Sequence, residues 1–431
     1  MHLQYIHLKN TFVLCKRTEG VVLMHFNFGL LAKLLAGIVG GIILGSLGSW
    51  FGFQDAVAYE GFIRLLSTFT SLFSTFLSFL IPLLIVSFVA VGMADLGKQA
   101  NKLLGLTVFL AYASTILAGY IAYFFGVSIL PNFIHPFSGS VADVNPYDPF
   151  LTIKVTPVFD VMTGLMLAFI LGIGMANLKI GTAGKLLSVL REVRDIITKA
   201  LTKIIIPLIP IYVGSLFCKL AAQGKIVATA KIFIGLYVCI LLLQVLYLLL
   251  QFGISGLICK RNNFKYIPRI LPAYFTAVGT QSSASTIPIN LKCAHNCDMS
   301  EGVANFCIPL CATIHLAGDT ICLVLGTMGI MMAMGMDVGL TLFTPYIFML
   351  GVTMVAAPGV PGGGVMAALG IITSMLGFTE PMQQLIISLH FSQDSFGTAT
   401  NVAGDQALSM IVDKVRGHNT DTVGESGEAS A

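Results

Sequence analysis

Residues 394–405 read Asp394-Ser395-Phe396-Gly397-Thr398-Ala399-Thr400-Asn401-Val402-Ala403-Gly404-Asp405, near the end of a run of helical length. Asp394, Thr398, Asn401 and Asp405 are spaced four, three and four residues apart, so on a helix they share one face. That stripe holds two carboxylates, a hydroxyl and an amide. Such a set can bind an ammonium, a carboxylate and a cation along its length; the alternative is a water-lined helix in a channel wall. The last five residues have an upstream counterpart, His315-Leu316-Ala317-Gly318-Asp319. In both, an imidazole or amide precedes an aspartate by four positions, which predicts one helical face for each pair. An aspartate at the centre of a membrane helix costs about 2.5–3.5 kcal/mol on insertion scales, so it faces a partner, an ion or water.

The surroundings are those of a membrane protein. The chain has 431 residues, is 56% hydrophobic and only 10% charged, whereas soluble domains carry about 25% charged residues. Apolar runs fall at about 28–51, 68–94, 103–130, 156–178, 195–221 and 227–258, each long enough for a membrane helix. In the first, Gly37, Gly41 and Gly45 let another helix approach closely. A net charge of +4 gives no reason to expect nucleic acid, and no basic patch is interleaved with aromatics. The nine cysteines lie mostly in apolar segments and read as small buried hydrophobes. Cys293, His295 and Cys297 lack the second ligand pair that a zinc site needs. Residues 1–23 have scattered charge and no apolar core of a secretory signal; Met24, just before the first run, is a candidate start.

Loop charge gives orientation. Lys98 and Lys102, then Lys179, Lys185, Arg191, Arg194 and Lys199, then Lys260, Arg261, Lys265 and Arg269 mark alternate loops, while the third loop has Asp143 and Asp148. This alternation predicts cytoplasmic N- and C-termini in a cell inner (plasma) membrane. Beyond residue 265 the runs are interrupted. Segment 266–291 contains Pro272, Gly279, Thr280-Gln281-Ser282-Ser283 and Pro288. Its arms are too short to span, so it reads as a re-entrant hairpin. A helix at about 302–335 follows, then a second broken segment, 340–378, around Pro358-Gly359-Val360-Pro361-Gly362-Gly363-Gly364. The final helix covers about 382–413. Hairpin, helix, hairpin, helix forms two inverted halves, and paired broken segments point to a transporter site near the midplane.

The expected fold is an all-α polytopic membrane protein of about eight transmembrane helices plus two re-entrant hairpins. Its parts are an N-terminal extension (1–23), a six-helix half (24–258), a transport core (259–415) and a disordered tail (416–431). Unwound tips expose backbone N–H groups that favour anions. Ser282 and Ser283 add hydroxyls, unless they only cap the hairpin. Gly359 and Gly362 admit close approach of a ligand. With Asp394 for an ammonium, these groups suit an amino acid.

The same residues resemble the dicarboxylate/amino acid:cation symporters, the family of glutamate and neutral amino acid transporters. The likeness covers nearly all of residues 24–415. It is strongest at Ser282-Ser283-Ala284-Ser285, Ser300-Glu301-Gly302, Gly359-Val360-Pro361-Gly362 and Asp394–Asp405. It implies that Asp394 holds the substrate amino group and that Thr398 faces the substrate side chain. Asn401 would hold the α-carboxylate. The substrate site would comprise Gln281, Ser282, Ser283, Gly359, Val360, Gly362, Asp394, Gly397, Thr398 and Asn401. Sodium would lie at Asn401 and Asp405, with main chain near Cys311, and Thr313 and His315 are the further cation-site candidates. The resemblance also implies a homotrimer with an elevator motion, sodium as coupling ion and no other cofactor.

Two departures matter. Acidic-substrate members have an arginine where this chain has Gly397, and some have one where it has Gln281. Without a cation at either position a second substrate carboxylate would be desolvated unpaired, so a neutral, serine- or threonine-like substrate is expected. The family's Asn-Met-Asp-Gly-Thr is here His315-Leu316-Ala317-Gly318-Asp319. Met354 and Ala357 stand where hydroxyls often lie near another sodium. A proton is therefore an alternative coupling ion, through His315; the plainer reading pairs a neutral His315 with a carbonyl or Asp319. A dicarboxylate or another amino acid as cargo within the same family also stays open, as do two other classes: an ion channel, and an intramembrane aspartyl protease using Asp319 with Asp394 or Asp405.

Overall fold

The computed structural model describes residues 29–98, 102–136, 147–153, 155–159, 161–177, 180–355, 357 and 359–416. The N-terminal extension, Asp143, Lys179, Pro358 and the tail from Gly417 lie outside them. The described residues form helices and no strand: α1 (Gly29–Phe51), α2 (Val57–Lys98), α3 (Lys102–Ile129), α4 (Val161–Asn177), α5 (Ile180–Ala200), α6 (Ile206–Ala222) and α7 (Ile226–Cys259). Then come α8 (Ile267–Thr280), α9 (Ser283–His295), α10 (Glu301–Ile314), α11 (Ala317–Ala333), α12 (Leu340–Met354), α13 (Gly363–Leu376) and α14 (Glu380–Arg416). Six stretches among them are long and apolar enough to cross a membrane: Ala32–Phe51, Val57–Gly92, Leu103–Asn132, Gly184–Ala222, Thr229–Cys259 and Glu301–Ala333. The shorter α4 and the polar-striped α14 complete the eight expected passages.

The glycine stripe of α1 explains its partner. A Cβ at Gly37, Gly41 or Gly45 would run into the main-chain carbonyls of Pro210, Gly214 and Cys218 on α6. The two backbones touch along that seam, within one chain. Helices α1, α2, α4, α5 and α6 pack chiefly on one another, whereas α3 and α7 pack onto α11 and α14. The second half is therefore wrapped by two helices borrowed from the first.

Two expectations need correction. The basic stretch after residue 179 was expected as a loop, but it is helix α5. Its helix-forming residues also supply an apolar face: Leu187 and Ile197 are buried in the core. A π-helical turn, Leu201–Ile205, then joins α5 to α6, where Pro207 removes an amide donor. The second correction is larger. The expected single helix 302–335 is broken at His315, which is extended (φ −115, ψ 96), and α11 restarts at Ala317. No proline or glycine marks residues 314–316. The break is held from outside, because the Gly318 N–H donates to Asn401 Oδ1 at 2.7 Å.

Candidate functional site

Both hairpins turn through left-handed residues. The first, α8–α9, passes through Gln281 at φ +52, a conformation costing a non-glycine residue about 1–2 kcal/mol. Ser282 then caps α9, its Oγ accepting from the Ser285 N–H at 3.3 Å. The second, α12–α13, passes through Gly362 at φ +72, where a Cβ would collide with the Phe391 ring. Glycine is required there twice over.

The tips meet over α14. Ser282 Oγ donates to Gly359 O at 2.7 Å, linking one tip to the other. The Gly362 N–H donates to Asp394 Oδ2 at 2.8 Å, and the Thr398 hydroxyl lies 3.5 Å from Asp394 Oδ1. Gln281 Nε2 donates to Ser395 Oγ at 2.8 Å. The expected residues Gln281, Ser282, Ser283, Gly362, Asp394, Gly397, Thr398 and Asn401 are all buried, with Gly359 and Val360 half-buried at the edge.

The two pentapeptides exchange partners. His315 and Asp319 do not share a helical face, because the break between α10 and α11 separates them. His315 Nδ1 donates instead to Asp405 Oδ1 at 2.9 Å. Asn401 Nδ2 donates to Asp319 Oδ2 at 2.5 Å. Each motif's first residue thus bonds the other motif's aspartate. On the other side of the His315 ring, Nε2 has the Ser114 hydroxyl at 3.0 Å and Gln251 Nε2 at 3.2 Å. Ser114 is in turn bonded to Tyr247 at 2.8 Å.

The expected cation ligands are unevenly available. The Cys311 carbonyl accepts the His315 N–H at 2.9 Å. Thr313 is exposed, with its hydroxyl on Leu310 O. Asn401 Oδ1 is taken by Gly318. Among these expected cation ligands, Asp405 Oδ2 is a buried side-chain oxygen without a hydrogen-bond partner.

Several site residues escaped the sequence reading. His390 Nε2 donates to Asp319 Oδ1 at 2.9 Å. The ligand atoms of Asp319, His390 and Asp394 lie within 4.8 Å of one another, but the bonds above already engage them. His390 is four residues before Asp394, so the helical period carried that signal. Gln244 and Gln251 of α7 are buried polar residues in an apolar helix, a functional cue in a membrane segment.

Broken hairpins packed against a buried polar stripe, within a bundle of long apolar helices, are the arrangement in which secondary transporters build their substrate sites. The sequence profile of the sodium:dicarboxylate symporter family matches residues 30–415, and the chain belongs to that family. Excitatory amino acid transporter 1 of Ambystoma tigrinum is 29% identical over 203 residues, 47% of this chain and 35% of that protein. Excitatory amino acid transporter 4 of Rattus norvegicus is 29% identical over 158 residues, 36% of this chain and 28% of that protein. The chain thus spans about a third of the length of these relatives. The family and these relatives are transporters, not enzymes.

Proposed function

We propose that this protein is a symporter that brings a neutral, serine- or threonine-like amino acid into the cell together with a cation, sodium. The observation that carries this reading is the setting of Asp394. Its carboxyl group faces both hairpin tips and is held by a main-chain N–H and a hydroxyl, with no lysine or arginine among these bonded groups. A substrate ammonium supplies the missing charge. The tip N–H groups, Ser282, Ser283 and Asn401 then face the α-carboxylate. A second substrate carboxylate would enter beside Asp319 and Asp394 with no lysine or arginine bonded there, which is unfavourable. The names of the matched relatives support an amino acid as cargo.

Sodium as coupling ion is supported by the family's description and by the unpartnered Asp405 Oδ2, an anionic oxygen suited to a hard cation. Proton coupling is the second reading, favoured by the His315–Asp405 bond. The homotrimer and the elevator motion belong to this proposal as properties the family resemblance implies, and the plasma-membrane location with cytoplasmic termini belongs to it too, the termini on the alternation of loop charge. The test is uptake by purified protein in proteoliposomes with sodium, potassium and proton gradients imposed separately at fixed voltage. Serine accumulation that follows the sodium gradient and ignores the pH gradient is expected. Accumulation driven by the pH gradient alone would shift the assignment to a proton, and passive equilibration under every gradient would indicate a channel.

A further inference from the structure

Beside Gly397 lies a pair of glutamines whose orientation is fixed by elimination. The Gly318 carbonyl can only accept, so the Gln244 group facing it at 3.0 Å is the amide nitrogen Nε2. Gln244 Oε1 must then point to Gln393, where it accepts from Nε2 at 2.6 Å. The remaining atom, Gln393 Oε1, is fully buried and has no hydrogen-bond partner. It would stand 3.5 Å from a Cβ at Gly397, with Gln244 Nε2 at 3.6 Å. Gly397 in turn lies next to Thr398 and three residues after Asp394. An acceptor held without a donor in a buried site carries a desolvation penalty of about 1–3 kcal/mol until a donor arrives.

We infer that Gln393 determines side-chain specificity: its free carbonyl oxygen, beside the bare face of Gly397, accepts a hydrogen bond from a hydroxyl or amide on the substrate. Gln244 is the positioning residue, because its bond to Gly318 dictates which atom Gln393 presents. A substrate carboxylate would bring a second acceptor against Oε1 and is refused. An alkyl side chain leaves Oε1 unsatisfied. The favoured class is therefore zwitterionic amino acids with a side-chain O–H or N–H donor. This rests on the reading that Asp394 holds the substrate ammonium.

The experiment compares initial uptake, at low concentration, of labelled serine with alanine and of threonine with 2-aminobutyrate in proteoliposomes. Each pair differs in the hydroxyl. The wild-type protein is expected to favour the hydroxyl member by roughly tenfold or more, within the discrimination that a buried hydrogen bond supplies. In Gln393→Met the serine-to-alanine ratio is expected to fall toward one. Serine and alanine entering equally in the wild type overturns the inference without any variant. An equal fall for both in Gln393→Met, with the ratio kept, also overturns it, since a purely structural glutamine would behave so. If dicarboxylates lacking an amino group enter while every zwitterion fails, the Asp394 reading falls, and this inference with it.

Discussion

His315–Asp319 and Asn401–Asp405 share the ending Ala-Gly-Asp, yet one is broken and the other is continuous helix. Residues 315 and 316 are unwound between α10 and α11, while α14 runs without interruption from Glu380 to Arg416. The intact copy supplies what the broken copy lacks: Asn401 satisfies the freed Gly318 N–H and reaches Asp319. The broken copy returns His315 to Asp405. Local sequence set the residue types, and long-range bonding set the geometry. A pair of acids that looks duplicated in sequence is one cross-linked unit in space.

The largest expected effect breaks this exchange. Asp405 depends on His315 alone among the bonds its carboxylate makes. His315→Leu is expected to destabilise the protein by about 3–5 kcal/mol, the cost of stranding a buried charge. His390→Leu leaves Asp319 its bond from Asn401, so about 1–3 kcal/mol is expected. Thermal unfolding in detergent compares the two; a larger loss for His390→Leu would refute the asymmetry.

Asp394 sharpens the contrast, because its partners are a hairpin tip and a threonine rather than the other motif. Asp394→Asn is expected to reduce uptake roughly 30-fold or more, through loss of about 2–5 kcal/mol of ammonium binding. Its unfolding temperature should move less than that of His315→Leu. A stability loss as large as His315→Leu would make Asp394 another structural acid.

The smallest effects separate the two glycines of the shared Ala-Gly-Asp. A Cβ at Gly318 would collide with the Gly397 carbonyl and lie 2.9 Å from Thr400 Cβ, both on α14. Gly318→Ala therefore forces the helices apart, at about 1–3 kcal/mol. A Cβ at Gly404 meets the end of the Gln251 amide at 2.6 Å and His315 Cε1 at 2.8 Å, groups on side chains that can shift. Gly404→Ala is expected to cost under about 1 kcal/mol, read from the same unfolding curves; the reverse order would mean that the α11 break yields more easily than the His315 network.

Much of this is legible in the amino-acid sequence alone. Composition, run length and the paired Gly/Pro/Ser-rich interruptions gave the helical membrane fold and both hairpins, because bilayer length and backbone satisfaction leave few options. The polar face of α14 followed from helical period alone. The break at His315 did not, since its cause is Asn401, 83 residues beyond Gly318 in sequence. Helix α5 was hidden by its charge, which reads as loop until its buried leucine and isoleucine are seen. Gln393 could not be singled out, because its importance lies in which of two similar atoms is left free, a choice made by Gln244 and Gly318.

The most direct measurement of the central claim is paired uptake of labelled serine and aspartate in proteoliposomes under an inward sodium gradient. Serine is expected to accumulate against its own gradient while aspartate enters weakly, because the groups bonded at Asp394 and Asp319 include no lysine or arginine. Aspartate taken up with higher affinity than serine would contradict the account.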